Sequence, residues 1–95
     1  MYAVIGHFSF QDAPDAPLRE RIAAEILDPL SAAPGFLSLR FVRVTETASV
    51  VVHCWSSQAD AEEGLRLIAP RIQQLRAEGL VGAVERSVGE VVAQR

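Results

Sequence analysis

His7, His53 and Trp55 are the residues of this chain best suited to chemistry; the sequence holds two histidines and one tryptophan. His53 and Trp55 stand two apart near the end of the run Val50-Val51-Val52-His53-Cys54-Trp55-Ser56-Ser57. A strand over that run turns both side chains to one face. A neutral imidazole, with a reference pKa of about 6.5, can take a proton at neutral pH. Arg40, or a second histidine, can hold an oxyanion as it forms. The Trp55 indole can stack on a planar ligand while its N–H donates to an oxygen. These roles make His7 or His53 a candidate base, provided that both face one pocket of about 300 Å³ or more.

Each of these residues has a plainer reading beside the chemical one. His7 can be a half-buried strand residue bonded to backbone, and His53 a strand-end residue touching solvent. Trp55 can simply anchor the core where strand meets helix, and Arg40 can serve a surface or dimer-rim salt bridge. Other chemistries fare worse. His53 and Cys54 are adjacent, so a regular strand sends them to opposite faces and they cannot share a metal ion. No third ligand stands at a recognisable spacing, and Cys54 reads as a small buried hydrophobe. There is no G-x-S-x-G elbow, phosphate-binding glycine loop or dinucleotide fingerprint.

The elements that must position these residues follow from patterning. Residues 2–10 are rich in β-branched and aromatic types and predict a first strand, with Tyr2, Val4, Phe8 and Phe10 on one face and Ala3, Ile5, His7 and Ser9 on the other. Asp15 is a candidate N-cap for a helix whose stripe is Leu18, Ile22, Ile26, Leu27 and Leu30. Pro29 is expected to bend or end that helix near Asp28. A second strand is expected over 36–44, with Leu37, Leu39, Phe41 and Arg43 on one face and Phe36, Ser38, Arg40, Val42 and Val44 on the other. A short turn then leads to a third strand over 49–55, an antiparallel hairpin. Ser57 and Asp60 form a capping pair for a second helix with the stripe Ala61, Leu65, Ile68, Ile72 and Leu75. Pro70 is expected to break or kink it, and Gly79 to stop it. A last strand lies somewhere in 81–92.

The order βαββαβ reads as an α+β, ferredoxin-like sandwich with an antiparallel four-stranded sheet, in a single domain over 1–95. Two helices cover one sheet face, yet the strands carry apolar residues on both. A homodimer burying sheet against sheet is the expected cover, which makes the chain half of a dimeric α+β barrel. The net charge of −3 and nine scattered arginines give no nucleic-acid footprint. One cysteine gives no internal disulfide, and no apolar run approaches the ~20 residues of a membrane span. A cytoplasmic protein is the expectation.

Pro34-Gly35-Phe36-Leu37 at the start of the second strand, and Val51-x-x-x-Trp55-Ser56-Ser57 closing the third, carry a resemblance to the antibiotic biosynthesis monooxygenase-like group of dimeric α+β barrel proteins. It spans roughly residues 2–92. That group includes cofactor-independent oxygenases of aromatic polyketides or quinols, haem-degrading enzymes, and proteins with no established activity. The resemblance implies a small-molecule pocket between sheet and helices. It places His7 where haem-degrading relatives carry a catalytic asparagine, and Trp55 where polyketide-oxidising relatives carry a pocket tryptophan. Arg40, Phe36, Ile26, Leu65 and Ile68 are then expected to bind substrate, with Leu37, Leu39 and Phe41 packing the dimer core. Haem is disfavoured, because residues 56–95 contain none of the axial histidine such relatives carry there. Val51 stands where the oxygenases pair an asparagine with the tryptophan. The reading that results is a monooxygenase of a small aromatic, anthrone or quinol substrate using no bound cofactor and no metal. The alternative is a non-catalytic homodimeric module that binds a small ligand or serves a structural role.

Overall fold

The computed structural model describes residues 1–95. Strand β1 spans Tyr2–Ser9, β2 Phe36–Thr45, β3 Ala48–Trp55 and β4 Val84–Glu90. Helix α1 occupies residues 16–32 and helix α2 Gln58–Ala77. The strands lie in the order β2-β3-β1-β4, and each neighbouring pair is antiparallel. This is the ferredoxin-like arrangement, with both helices on one face of the sheet.

Helix α1 starts where Asp15 accepts the Leu18 N–H at 2.9 Å. It does not end at Pro29. Its flanks, Ala16–Ile22 and Asp28–Ala32, are α-helical, but Ala23–Leu27 is a π-helical turn in which the Asp28 N–H reaches the Ala23 carbonyl. Pro29 has no N–H to give the Glu25 carbonyl, and its ring needs that carbonyl moved aside; a wider turn does so. Helix α2 is capped by Ser57, which accepts the Asp60 N–H at 3.1 Å. Pro70 does not interrupt it. Pro70 and Arg66, whose carbonyl loses its donor, are both exposed, so water can satisfy the gap. Gly79, at φ 75°, turns the chain out of the helix while the Leu80 N–H returns to the Leu75 carbonyl at 3.0 Å.

Sheet faces follow from register. Val4, Gly6 and Phe8 of β1 lie opposite His53, Val51 and Ser49 of β3, all toward the helices. On β2 the expected alternation is inverted. Phe36 pairs with Trp55 but Ser38 pairs with Cys54, leaving Leu37 as the extra residue of a bulge. Beyond it Leu39 and Phe41 point into the core, and Ser38, Arg40 and Val42 point away. The expected dimer row of Leu37, Leu39 and Phe41 is therefore wrong: Leu39 and Phe41 pack against the helix-side core and Leu37 is exposed. A one-residue slip exchanges the two faces of a strand, and the bulge supplies it. The core runs through Val4, Phe8, Ile22, Ile26, Leu30, Trp55, Ile68 and Leu75. The opposite face, with Ala3, Ile5, Val42, Val50, Val52 and Cys54, has no covering layer in one chain.

Candidate functional site between the helices and the sheet

Trp55 is completely buried at the end of β3. Phe36 meets its ring edge-on, with centroids 5.7 Å apart. Gly64 of α2 lies against its outer edge, where an added Cβ would come within 2.6 Å of the indole. The Trp55 Nε1–H donates to Nδ1 of His53 at 2.6 Å, two residues back on the same face. His53 is 2% exposed. Burial pushes its pKa down to about 4, because the charged form loses its hydration. The ring is neutral at physiological pH, and its acceptor nitrogen is already engaged. The proton of the neutral ring then sits on Nε2. In this tautomer His53 is a hydrogen-bond donor with no free lone pair, so it cannot be the base.

His53 lines a small chamber beneath the helices, together with Ile26, Leu65, Ile68, Val51 and Phe8, and with Arg86 of β4 at its edge. Its volume is about 20 Å³, enough for one water-sized molecule. Of the expected substrate-binding residues, Ile26, Leu65 and Ile68 line this chamber, while Phe36 braces Trp55 and stands back from it. Trp55 is likewise not among the lining residues; it touches the chamber only through its bond to His53.

His7 and Arg40 lie elsewhere. His7 pairs with Val50 and Glu85 across β1, three residues out of phase with Val4, and faces the uncovered side of the sheet. There it borders a separate depression of about 320 Å³ with Ser9, Val44 and Glu85. Arg40 pairs with Val52 on that same side and is exposed. The two histidines do not share a pocket.

The larger space on the helix side opens beside the chamber. It is a cleft of about 480 Å³ whose apolar walls are Phe10, Ile22, Leu27 and Phe41. Arg19 from α1 and Arg43 from β2 also line it, with the Ser49 hydroxyl. Phe8 of the chamber and Phe41 of the cleft stand side by side, ring centroids 5.8 Å apart. Ile22 and Ile26, one turn apart on α1, make the matching division on the helix side. The π turn matters here: five residues separate Ile22 from Leu27, and a wider turn brings both over the cleft while Ile26 stays over the chamber.

No family model matches the chain, and no curated protein sequence matches it. Solved structures do. A candidate antibiotic biosynthesis monooxygenase from Deinococcus radiodurans superposes with a TM-score of 0.82 at 15% identity, over 100% of this chain and 96% of that one. SnoaB, a cofactor-independent oxygenase from Streptomyces nogalater, gives 0.78 at 18% identity over 98% and 94%. A dimeric ferredoxin-like protein from an uncultured marine organism gives 0.72 at 16% identity over 99% and 96%. The chain has the fold of these proteins. The antibiotic biosynthesis monooxygenase-like architecture is thus shared at the level of the backbone over essentially the whole length.

Sequence reasoning missed Arg19, Arg43 and Phe10 as site residues. Arg43 was hidden by the bulge: it shares a row with Leu39 and Phe41, and that row, expected on the dimer face, turns to the helix side and the cleft. Arg19 had a visible signal, since it precedes Ile22 by one helical turn and shares its side of α1. No group of three or more His, Cys, Asp or Glu side chains comes together as a metal site, and no helix is long and apolar enough to cross a membrane.

Proposed function

We propose that this protein is a cofactor-independent monooxygenase of a small aromatic, anthrone or quinol substrate bound between α1 and the sheet. The observation that carries the reading is the neutral, donor-only His53, locked by Trp55 and facing a small, mostly apolar chamber. A deprotonated anthrone or quinol is electron-rich enough to reduce dioxygen without a metal or flavin. The substrate anion in the cleft passes one electron to dioxygen, and recombination of the two radicals forms a C–O bond and a peroxide. Loss of the second proton from the carbon that bears the peroxide forms the C=O bond as the O–O bond breaks heterolytically, so one oxygen atom stays in the product as a carbonyl and the other leaves as hydroxide, which takes up a proton to become water. The four electrons that reduce dioxygen come from the two C–H bonds broken at that carbon. The Nε2–H of His53 stabilises negative charge as it gathers on the reduced oxygen, a role for a fixed neutral donor in a dry site. Trp55 positions that donor by holding the tautomer.

The fold likeness to an oxygenase and to candidate monooxygenases supports this reading, and a dimeric neighbour of the same fold supports a homodimer through the uncovered sheet face. A second reading, a homodimeric ligand-binding module without turnover, rests on the absence of any histidine or carboxylate from the cleft lining.

Oxygen uptake with a panel of anthrones and hydroquinones tests the proposal. Wild type is expected to consume oxygen, His53→Ala to lose about two orders of magnitude of kcat, as when one oxyanion donor is removed, and His7→Ala to match wild type. Equal rates in all three would remove His53 from the chemistry. No uptake with any substrate would leave the binding module as the function.

A further inference from the structure

We infer that the cleft between α1, β2 and β3 binds a planar aromatic anion, an enolate, phenolate or carboxylate, whose charge is held by Arg19 and Arg43. The inference rests on the reading that a small aromatic molecule enters between α1 and the sheet. It adds the ionic state in which that molecule binds and the residues that select it.

The charges of the molecule distribute unevenly. Arg21 is bound by both Glu25 and Glu78, and Arg66 by Glu63. Arg19 and Arg43 have no carboxylate partner; Arg19 donates only to the Pro14 carbonyl at 2.8 Å, and that contact positions its head at the cleft without neutralising it. In a chain with a net charge of −3, two unpaired guanidinium groups share one apolar cleft that no carboxylate lines. Its volume of about 480 Å³ suits a ligand of two or three fused rings. Phe10 and Phe41 line the cleft with aromatic surface for such a ligand, and a guanidinium fork matches a carboxylate or enolate oxygen.

This arrangement also answers the missing base. A phenol or anthrone entering a site with two free cations ionises more easily, since nearby positive charge favours the anionic form. The proton then leaves to water as the substrate binds, and no side chain need take it. A neutral ligand of the same shape would leave both cations without compensation and gain only the apolar contact.

Binding of 2-naphthoate and of its neutral counterpart, 2-naphthalenemethanol, to wild type, Arg19→Gln and Arg43→Gln tests this by calorimetry. Wild type should prefer the carboxylate, and each variant should bind it about tenfold more weakly, the loss of one charged hydrogen bond. Both variants should bind the alcohol as wild type does and keep the wild-type melting temperature, since both side chains are exposed. Raising salt from about 0.05 to about 0.5 M should weaken the carboxylate alone. Equal affinity for the two probes, or carboxylate binding untouched in both variants, overturns the assignment. Carboxylate binding without oxygen uptake would keep the anion site and remove the oxygenase reading. Oxygen uptake without a carboxylate preference would do the reverse.

Discussion

Burial of the His53 imidazole ties part of the acid stability to one residue. Below about pH 6.5 the unfolded chain binds a proton on His53 that the folded chain refuses until about pH 4. The unfolded state therefore binds more protons across that window, and stability falls as pH falls through it. The full loss, reached below pH 4, is ~3 kcal/mol. His53→Gln keeps an acceptor for the indole and has nothing to titrate, so its stability should stay flatter between pH 6.5 and 4. Urea melts of both proteins at several pH values measure the difference; parallel curves would contradict the buried neutral imidazole. The shared face of His53 and Trp55 was legible from their spacing of two. The direction of the bond between them was not, because it depends on how deeply the helices bury the strand end. His7 shows the limit of residue identity as a signal: an apt side chain lies across the sheet from the chamber, and only strand phase decides that.

Elements were legible wherever local chemistry decides them. The caps at Asp15 and Ser57 and the stop at Gly79 are where side-chain oxygens and positive φ require them. Two elements departed from expectation for one shared reason, an extra residue absorbed inside a regular segment. The π turn before Pro29 keeps α1 going where a break was expected, and the bulge at Leu37 exchanges the faces of β2. Neither leaves a composition signal, since each is set by the partner element across the core. Helix α2 approaches the sheet through Gly64, where an added Cβ would come within 2.6 Å of the Trp55 ring. Gly64→Ala would gain helix propensity but drive a methyl into the indole, so a net loss of about 1–3 kcal/mol is expected. Thermal denaturation should show a midpoint several degrees lower, at roughly 4–8 °C per kcal/mol for a domain of this size. An unchanged or raised midpoint would mean that α2 can move off Trp55 freely.

At the scale of the molecule, one chain buries 17 of its 95 residues, a thin core that a second layer over the bare sheet face would extend. Ile5 and Val42 on that face are 39% and 46% exposed, ordinary values for residues awaiting a partner and high for core. If the proposed homodimer forms through that face, wild type should run as a dimer in analytical ultracentrifugation and Ile5→Arg, at the middle of β1, as a monomer with a lower melting temperature; equal masses for the two proteins would overturn that pairing. The sandwich itself was legible from element order, but the face that stays bare was misassigned on β2 by the bulge. That bulge sits on an edge strand, and a second irregularity follows between Arg43 and Thr45. The β2 edge of the sheet thus offers no straight ladder of N–H and C=O groups to another chain, which blunts fibrillar growth from that edge. Deleting Leu37 would leave every later residue on its present face while removing the first of those two irregularities. The shortened chain should keep its fold and far-ultraviolet spectrum yet bind thioflavin T on standing, whereas the full chain stays clear. A single supernumerary leucine then separates a particle that stops growing from a ribbon that does not.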